Sequence, residues 1–289
     1  MIQTATETRG VFERPVATFD LDPRVVGWIL ADDANPLNQI AHTISAGSTV
    51  LDIGAGNGIL PKLLEALGKS VSIDAIEPDP IARELARPLY RQCFDQDLES
   101  FLENQNRISS RYDFIVMADV LEHLANPEPS LKTILRLLTP SGKLLLSTPN
   151  IAFASIRLAL LSGRFDYTDS GILERTHLRF YTRATLLRLF QESGLHVAAE
   201  LHCLRNPFSM EVVLDDLWFP PALLWQINRD PLSRVYQFVF HLTANAGSNI
   251  QIIKIGNKST GLSTYFLINK IRILKTRIRN HLRNITRAR

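Results

Sequence analysis

Two cysteines in 289 residues leave neither a disulfide framework nor a cysteine-rich metal site. Cys93 and Cys203 lie far apart in sequence and form no C-x-x-C pair, so both are expected as buried, reduced thiols of a cytoplasmic chain. No apolar run reaches the roughly 18 residues that a membrane-spanning helix needs. The opening MIQTATETRG lacks the apolar centre of a secretory leader, and none is expected. Acidic side chains stop at Asp230. Residues 231–289 carry eleven Lys or Arg and no acid, while the first 230 residues hold 21 bases against 29 acids. The net charge of +3 therefore joins two regions of opposite sign, a feature that concerns partners rather than fold. The length is enough for one large domain or two small ones.

The most informative segment present is Val50–Gly58, VLDIGAGNG. Val50, Leu51 and Ile53 make a buried strand that runs into a glycine-rich turn, and helix-compatible residues follow from Ile59 to Leu67. A strand, tight turn and helix in this order form a nucleotide-type cofactor site at the carboxyl end of a strand. The spacing is G-x-G-x-G, and Ile59 stands where a dinucleotide fingerprint would place its third glycine. The acidic lead-in, Asp52, suits a cationic ligand better than a pyrophosphate. Further segments follow in order: VSIDAIE (71–77), a strand ending in a carboxylate; QDLE, with Asp97 at the end of a weak third strand; YDFIVMA (112–118) followed by DVLEHL; and KLLLS (143–147) ending in STPN.

In these segments, from Thr49 to Asn150, the chain resembles the class I S-adenosylmethionine-dependent methyltransferases. The resemblance implies an α/β, Rossmann-like, doubly wound sheet of seven strands. It also implies that Glu77 holds the ribose hydroxyls and that Asp97 contacts the adenine amino group. Cofactor contacts follow at Asp52, Gly54, Ala55, Gly56, Gly58, Glu77, Pro78, Asp97, Leu98, Ala118 and Asp119. Asp119, Glu122 and His123 form D-x-x-E-H, with His177 further on in ERTHLRFYT. Ubiquinone-pathway O-methyltransferases and small-RNA 2′-O-methyltransferases have a similar acid-x-x-Glu-His followed by a distant His, which there binds a divalent metal. Asp119, Glu122, His123 and His177 are the corresponding set here for Mg²⁺ or a similar ion, although Asp at the first position is short. The segments STPN, RLALLSGRFDYTDSGILERTHLRFYT and YQFVF are also similar to methyltransferases that accompany bacterial surface-glycan glycosyltransferases. That likeness implies a sugar hydroxyl or another small polar acceptor, with Arg164, Asp166, Tyr167 and Arg175 as contacts.

Methyl transfer from a sulfonium needs little beyond positioning and exclusion of water, but an oxygen acceptor must also lose a proton. His177 is the preferred base and His123 the second candidate. The core motifs do not report whether the acceptor atom is oxygen or nitrogen.

Around the core, residues 1–48 read as an irregular arm and a pair of entry helices broken at Asn35–Pro36. Residues 49–244 form the catalytic domain, with cap insertions at 151–181 and 205–233. Thr182–Ser193 is expected as a helix stopped by Gly194, and His196–Leu204 and Val235–Thr243 as the last two strands. Residues 245–289 read as a basic tail. In it Ile268, Ile271, Leu274, Ile278, Leu282 and Ile285 form one apolar stripe of a helix over 262–287. Its expected partners are its own domain, a second copy in a homodimer, or the anionic inner face of a membrane, where apolar burial and charge attraction add. Nucleic acid is not expected, because the stripe lacks aromatic side chains for stacking. A scaffold that keeps the cofactor fold without transferring a methyl group is the reading of a different class, and an RNA methyltransferase a third.

Overall fold

In the computed structural model, which describes residues 22–103, 111–207, 219–245 and 250–256, a single eight-stranded sheet has helices on both faces. Two entry helices, α1 (Pro23–Ala31) and α2 (Pro36–Thr43), precede the sheet. Each begins with proline at its first position, where no N–H is needed, and each is capped by the preceding side chain. Asp22 accepts from the Arg24 amide and Asn35 from the Leu37 amide. Strands β1 (Thr49–Ile53), β2 (Ser72–Ile76), β3 (Gln92–Phe94), β4 (Tyr112–Ala118) and β5 (Leu138–Pro149) then run parallel, joined by α3 (Ile59–Ala66), α4 (Pro80–Ala86), α5 (Leu98–Glu103) and α6 (Pro127–Ile134). After β5 come α7 (Ala154–Leu161), α8 (Arg183–Glu192), β6 (His196–Leu204), α9 (Pro221–Arg229), β7 (Val235–Thr243) and β8 (Gln251–Ile255).

The sheet order is β3-β2-β1-β4-β5-β7-β6-β8. β7 is antiparallel to both β5 and β6. The chain turns from one half of the sheet to the other between β1 and β4, and a crevice opens at the carboxyl ends of those two strands. Alternation along the strands feeds two cores. Leu51, Ile53, Ile115, Met117, Leu144, Leu146, Phe238 and Phe240 face α5, α6 and α8. Val50, Ile73, Ala75, Val116, Leu145 and Val239 face α1, α2 and α3.

Two polar knots lock the edges of this frame. Lys69 donates to the carbonyls of Ala41, His42 and Ile44 at 2.7–2.8 Å, closing the carboxyl end of α2. Glu200 on β6 is fully buried and takes a two-pronged ion pair from Arg183 on α8, 2.7 Å at both oxygens, with His202 at 2.6 Å. Burial pulls the Glu200 carboxyl upward, but the bonds from His202 and Arg183 outweigh it and hold it below the usual range.

Three expectations are corrected. The sheet has eight strands, because Gln251–Ile255 adds β8 parallel to β6 inside the stretch read as tail. β3 ends at Phe94, so Asp97 does not close that strand; it caps α5, accepting from the Ser100 amide at 2.7 Å. Cys93 is only half-buried, whereas Cys203 is fully buried; both are free thiols. The expected arm before residue 22 and the basic helix over 262–287 lie outside the described residues. No helix among the described residues is long and apolar enough to cross a membrane.

Removing Arg183 would leave a carboxylate stranded in the core. Arg183→Met should therefore cost about 3–5 kcal/mol in urea unfolding, and the double variant Arg183→Met with Glu200→Leu should recover much of that loss.

Candidate active site at the carboxyl edge

The glycine turn leaves β1 with Gly54 at φ +71°, Gly56 at +55° and Gly58 at +93°. A Cβ on Gly54 would stand 2.6 Å from Val120 Cγ2, because the loops after β1 and β4 touch there. A Cβ on Gly56 would meet nothing within 4 Å, so the space beside this residue is open to a ligand. The turn is fixed from behind. Gly54 N–H donates to the Ile76 carbonyl at 2.9 Å. The buried Glu77 carboxylate accepts from the amides of Gly56, 2.6 Å, and Asp79, 2.9 Å. Burial still raises the Glu77 carboxyl above its ordinary range.

Asp52, at the end of β1, is buried and accepts a 2.6 Å bond from the Tyr90 hydroxyl. Burial pushes its carboxyl up to about 7, against the pull of that hydroxyl, with the Glu77 charge adding to the rise. Of the other expected cofactor contacts, Ala55 and Leu98 are buried, Ala118 is half-buried, and Pro78 and Asp97 are exposed.

The second part of the site lies after β4. Asp119 adopts φ +55°, unusual for a residue with a side chain. It is held there by the Ser147 hydroxyl, 2.7 Å, and by the Gln237 amide at 3.0 and 2.9 Å on its two oxygens. A short 3-10 turn, Leu121–His123, follows. Glu122 in it is 1% exposed, and its Oε2 accepts from Thr148 at 3.1 Å. Its backbone carbonyl accepts from the amides of Leu178 and Arg179, at 2.9 and 3.1 Å, so the return of the first cap insertion is stitched to this turn. That brings His177 into place. Its Nδ1 lies 3.0 Å from the Ile172 carbonyl and must carry the proton, which leaves the Nε2 lone pair 4.0 Å from Glu122 Oε1 and 3.9 Å from Glu174 Oε2. His123 packs edge-on against His177, ring centres 4.8 Å apart, with Nδ1 3.2 Å from the Thr176 carbonyl.

Glu122 Oε1 is buried without a hydrogen-bond partner. Burial holds its carboxyl far above the ordinary range, and the nearby Asp119 charge adds to that. The ligand atoms of Glu122, His123 and His177 all lie within 4.8 Å of one another, a grouping of oxygen and imidazole donors that fits a divalent ion. Asp119, expected as a fourth ligand, is not in this grouping; its oxygens accept from Ser147 and Gln237.

The four expected acceptor contacts are spread over the cap. Tyr167 packs at 5.5 Å against Phe165 and at 6.5 Å against Phe180, whose ring lies 6.2 Å from His177. Arg175 is exposed and paired with Asp169 at 2.6 Å; Asp166 is exposed; Arg164 is half-buried just beyond α7. Glu174, Thr148, Tyr90 and Gln237 were not among the sequence candidates. Gln237 interrupts an apolar alternation in VYQFVF, and Glu174 stands three residues before His177, so both left a legible trace.

The family model of the methyltransferase domain matches residues 31–200, more than half of the chain. The chain belongs to this family, within the class I S-adenosylmethionine-dependent methyltransferases. It is 29% identical over 175 residues to the mitochondrial ubiquinone biosynthesis O-methyltransferase of Rattus norvegicus, covering 57% of this chain and 49% of that protein. It is also 29% identical over 194 residues to the ubiquinone biosynthesis O-methyltransferase of Aromatoleum aromaticum, covering 63% and 82%. The chain thus spans about half the length of the mitochondrial relatives it matches. The crystal structure of the plantazolicin methyltransferase BamL, in complex with a triazolic desmethylPZN analog and SAH, shares the fold with a TM-score of 0.50 at 13% identity, over 73% of this chain and 86% of that one.

The open side of Gly56 leads to a first test. Gly56→Val should weaken S-adenosylmethionine binding in calorimetry by tenfold or more. Gly54→Ala should instead lower the unfolding midpoint, since its methyl group meets Val120 at 2.6 Å. Asp52 gives a second. Its carboxyl ionises near 4 in the unfolded chain and near 7 in the folded one, so its contribution to stability falls as pH rises from about 4 to 7 and is level above that. Unfolding free energies measured at pH 5, 6, 7 and 8 should show this slope, and Asp52→Asn should flatten it.

Proposed function

We propose that the protein transfers the methyl group of S-adenosylmethionine to a hydroxyl of a small acceptor bound under the cap. The observation that carries this reading is His177: buried, fixed in one tautomer by Ile172, and presenting Nε2 at the crevice beside two carboxyl groups. S-adenosylmethionine, when bound, supplies the methyl group and its own leaving group. The glycine turn and Glu77 are suited to hold it, through the open face at Gly56 and the carboxylate oxygens behind that face. Nε2 of His177 takes the acceptor's proton as the oxygen attacks. The Phe180 ring beside His177, with Tyr167 and Phe165 behind it, favours a flat, ring-shaped acceptor over an open polar one. The relatives' names support a phenolic, quinone-like compound. A sugar hydroxyl is the alternative and rests on the sequence likeness of the cap to glycan-associated methyltransferases.

A second reading of the same cluster is favoured by the orphaned Glu122 oxygen. Glu122, His123 and His177 would hold a divalent cation, whose chemistry is to lower the pKa of the acceptor hydroxyl. His177 then orients the site as a ligand instead of accepting the proton. The basic segment 262–287 would bring the protein to an anionic membrane surface, the place where a lipid-linked or quinone-like acceptor resides.

With labelled S-adenosylmethionine and a panel of catechols and sugar hydroxyls, transfer should go to the catechols. His177→Ala should lower kcat about 10²–10⁴-fold while the affinity for S-adenosylmethionine stays within about threefold. Transfer that survives chelation selects the base reading; transfer lost to chelation and restored by Mg²⁺ or Mn²⁺ selects the cation reading. Cofactor binding with no transfer to any acceptor would leave a scaffold.

A further inference from the structure

Gln237 is a polar residue on an interior strand. β7 pairs with β5 on one side and β6 on the other, and Gln237 stands opposite Pro149, the last residue of β5. From there its side chain reaches over β5 to the loop after β4, where its amide nitrogen lies 3.0 and 2.9 Å from the two carboxylate oxygens of Asp119. An ionised carboxylate only accepts hydrogen bonds, so the nitrogen must face it and the amide oxygen, Oε1, must face away. Oε1 has no hydrogen-bond partner among the described residues, and Gln237 is half-buried, not sealed in the core. Asp119 is itself fixed. Its backbone holds φ +55°, its carboxylate accepts from Ser147 Oγ at 2.7 Å, and its amide donates to the Ser147 carbonyl at 3.2 Å. Gln237 Oε1 is therefore a vacant acceptor on an anchored side chain.

Strand order says which ligand it faces. The glycine turn leaves β1, and β4, β5 and β7 follow across the sheet in that order. Gln237 is thus rooted three strand spacings, roughly 14 Å, from the strand whose turn suits S-adenosylmethionine. The cap lies on this side, with His177 near enough to Asp119 for its charge to act on that carboxyl.

We propose that Gln237 is a specificity-determining residue, whose Oε1 accepts a hydrogen bond from a second hydroxyl or amino group on the ring of the acceptor. This rests on the transferase reading given above, and it holds whether His177 takes the proton or a cation acidifies the reacting hydroxyl. The substrate class is then a ring with two donors, one to be methylated and one to be held. A site built to receive a donor rejects an analogue that lacks it, because its own polar atom is left unpaired. The singly methylated product has lost one of the two donors, so it is a poor substrate for a second transfer.

Catechol, resorcinol and phenol are the probes, assayed with labelled S-adenosylmethionine and the full-length protein at one fixed metal concentration. At least one of the two diols should exceed phenol in kcat/KM by about tenfold or more. Gln237→Met keeps the length of the side chain and removes both polar atoms. In it the diol-to-phenol ratio should fall about tenfold, chiefly through a higher KM for the diol. Calorimetry should show S-adenosylmethionine affinity within about threefold, which also reports that the variant is folded. An equal fall for diol and phenol would mean that Gln237 only holds Asp119 in place. A loss of cofactor affinity with the ratio intact would put Oε1 on the cofactor. Either result overturns the proposal, as does a ratio that Gln237→Met leaves unchanged, and all three leave the transferase reading standing. No transfer to any acceptor by the unsubstituted protein would remove that reading and this assignment together.

Discussion

The arrangement depends on one acidic residue from which solvent is excluded. Glu122 sits one turn beyond β4, and two separate stretches of chain converge on it. Its carbonyl receives two amides from the returning cap, and its carboxyl receives the Thr148 hydroxyl from β5. A bare polar group in such a place is costly, so each of these bonds is enforced by the penalty of losing it. The oxygen that remains unpaired is the exception. It lies at the point where the histidines gather, 4.0 Å from His177 Nε2.

The half of the crevice lined by the glycine turn is built on a different principle. There the backbone does the positioning, and the carboxylates act from behind it. Glu77 receives the Gly56 and Asp79 amides, and Asp52 is bound by Tyr90, so neither acid is left bare in the cleft. A carboxyl that ionises only near 7 attracts a cation less strongly than an exposed aspartate would, so Asp52 is a weak electrostatic lure at neutral pH.

Most of the scaffold could be read from residue order. Proline and glycine punctuation placed the ends of α1, α2, α8 and the first loop, and apolar alternation placed β4, β6 and β7 on the residues they occupy. β8 was missed because QIIKI is short and lies next to a basic stretch whose charge dominated the reading, yet three isoleucines in five residues were a strand signal. Asp97 was misplaced because a three-residue strand leaves almost no periodicity by which to fix its end. The histidine pair was recognisable as a pair, but its environment was not. Hydrogen bonds from Thr148, Gln237 and Thr176 arise from strand pairing and loop return, and no local pattern announces which carboxylate ends beside which imidazole.

The two insertions are joined to each other as well as to the sheet. Arg157 of α7 pairs with Asp230 at 2.5 Å, the Ala154 amide donates to the Ser233 carbonyl, and Asn150 reaches the Leu232 and Val235 carbonyls. These contacts tie the stretch after β5 to the stretch before β7. Grafting acceptor preference from another methyltransferase onto this frame would therefore mean exchanging both stretches as a matched set, since a foreign α7 would arrive without the carboxylate it expects and the retained loop would keep a charge with no counterpart.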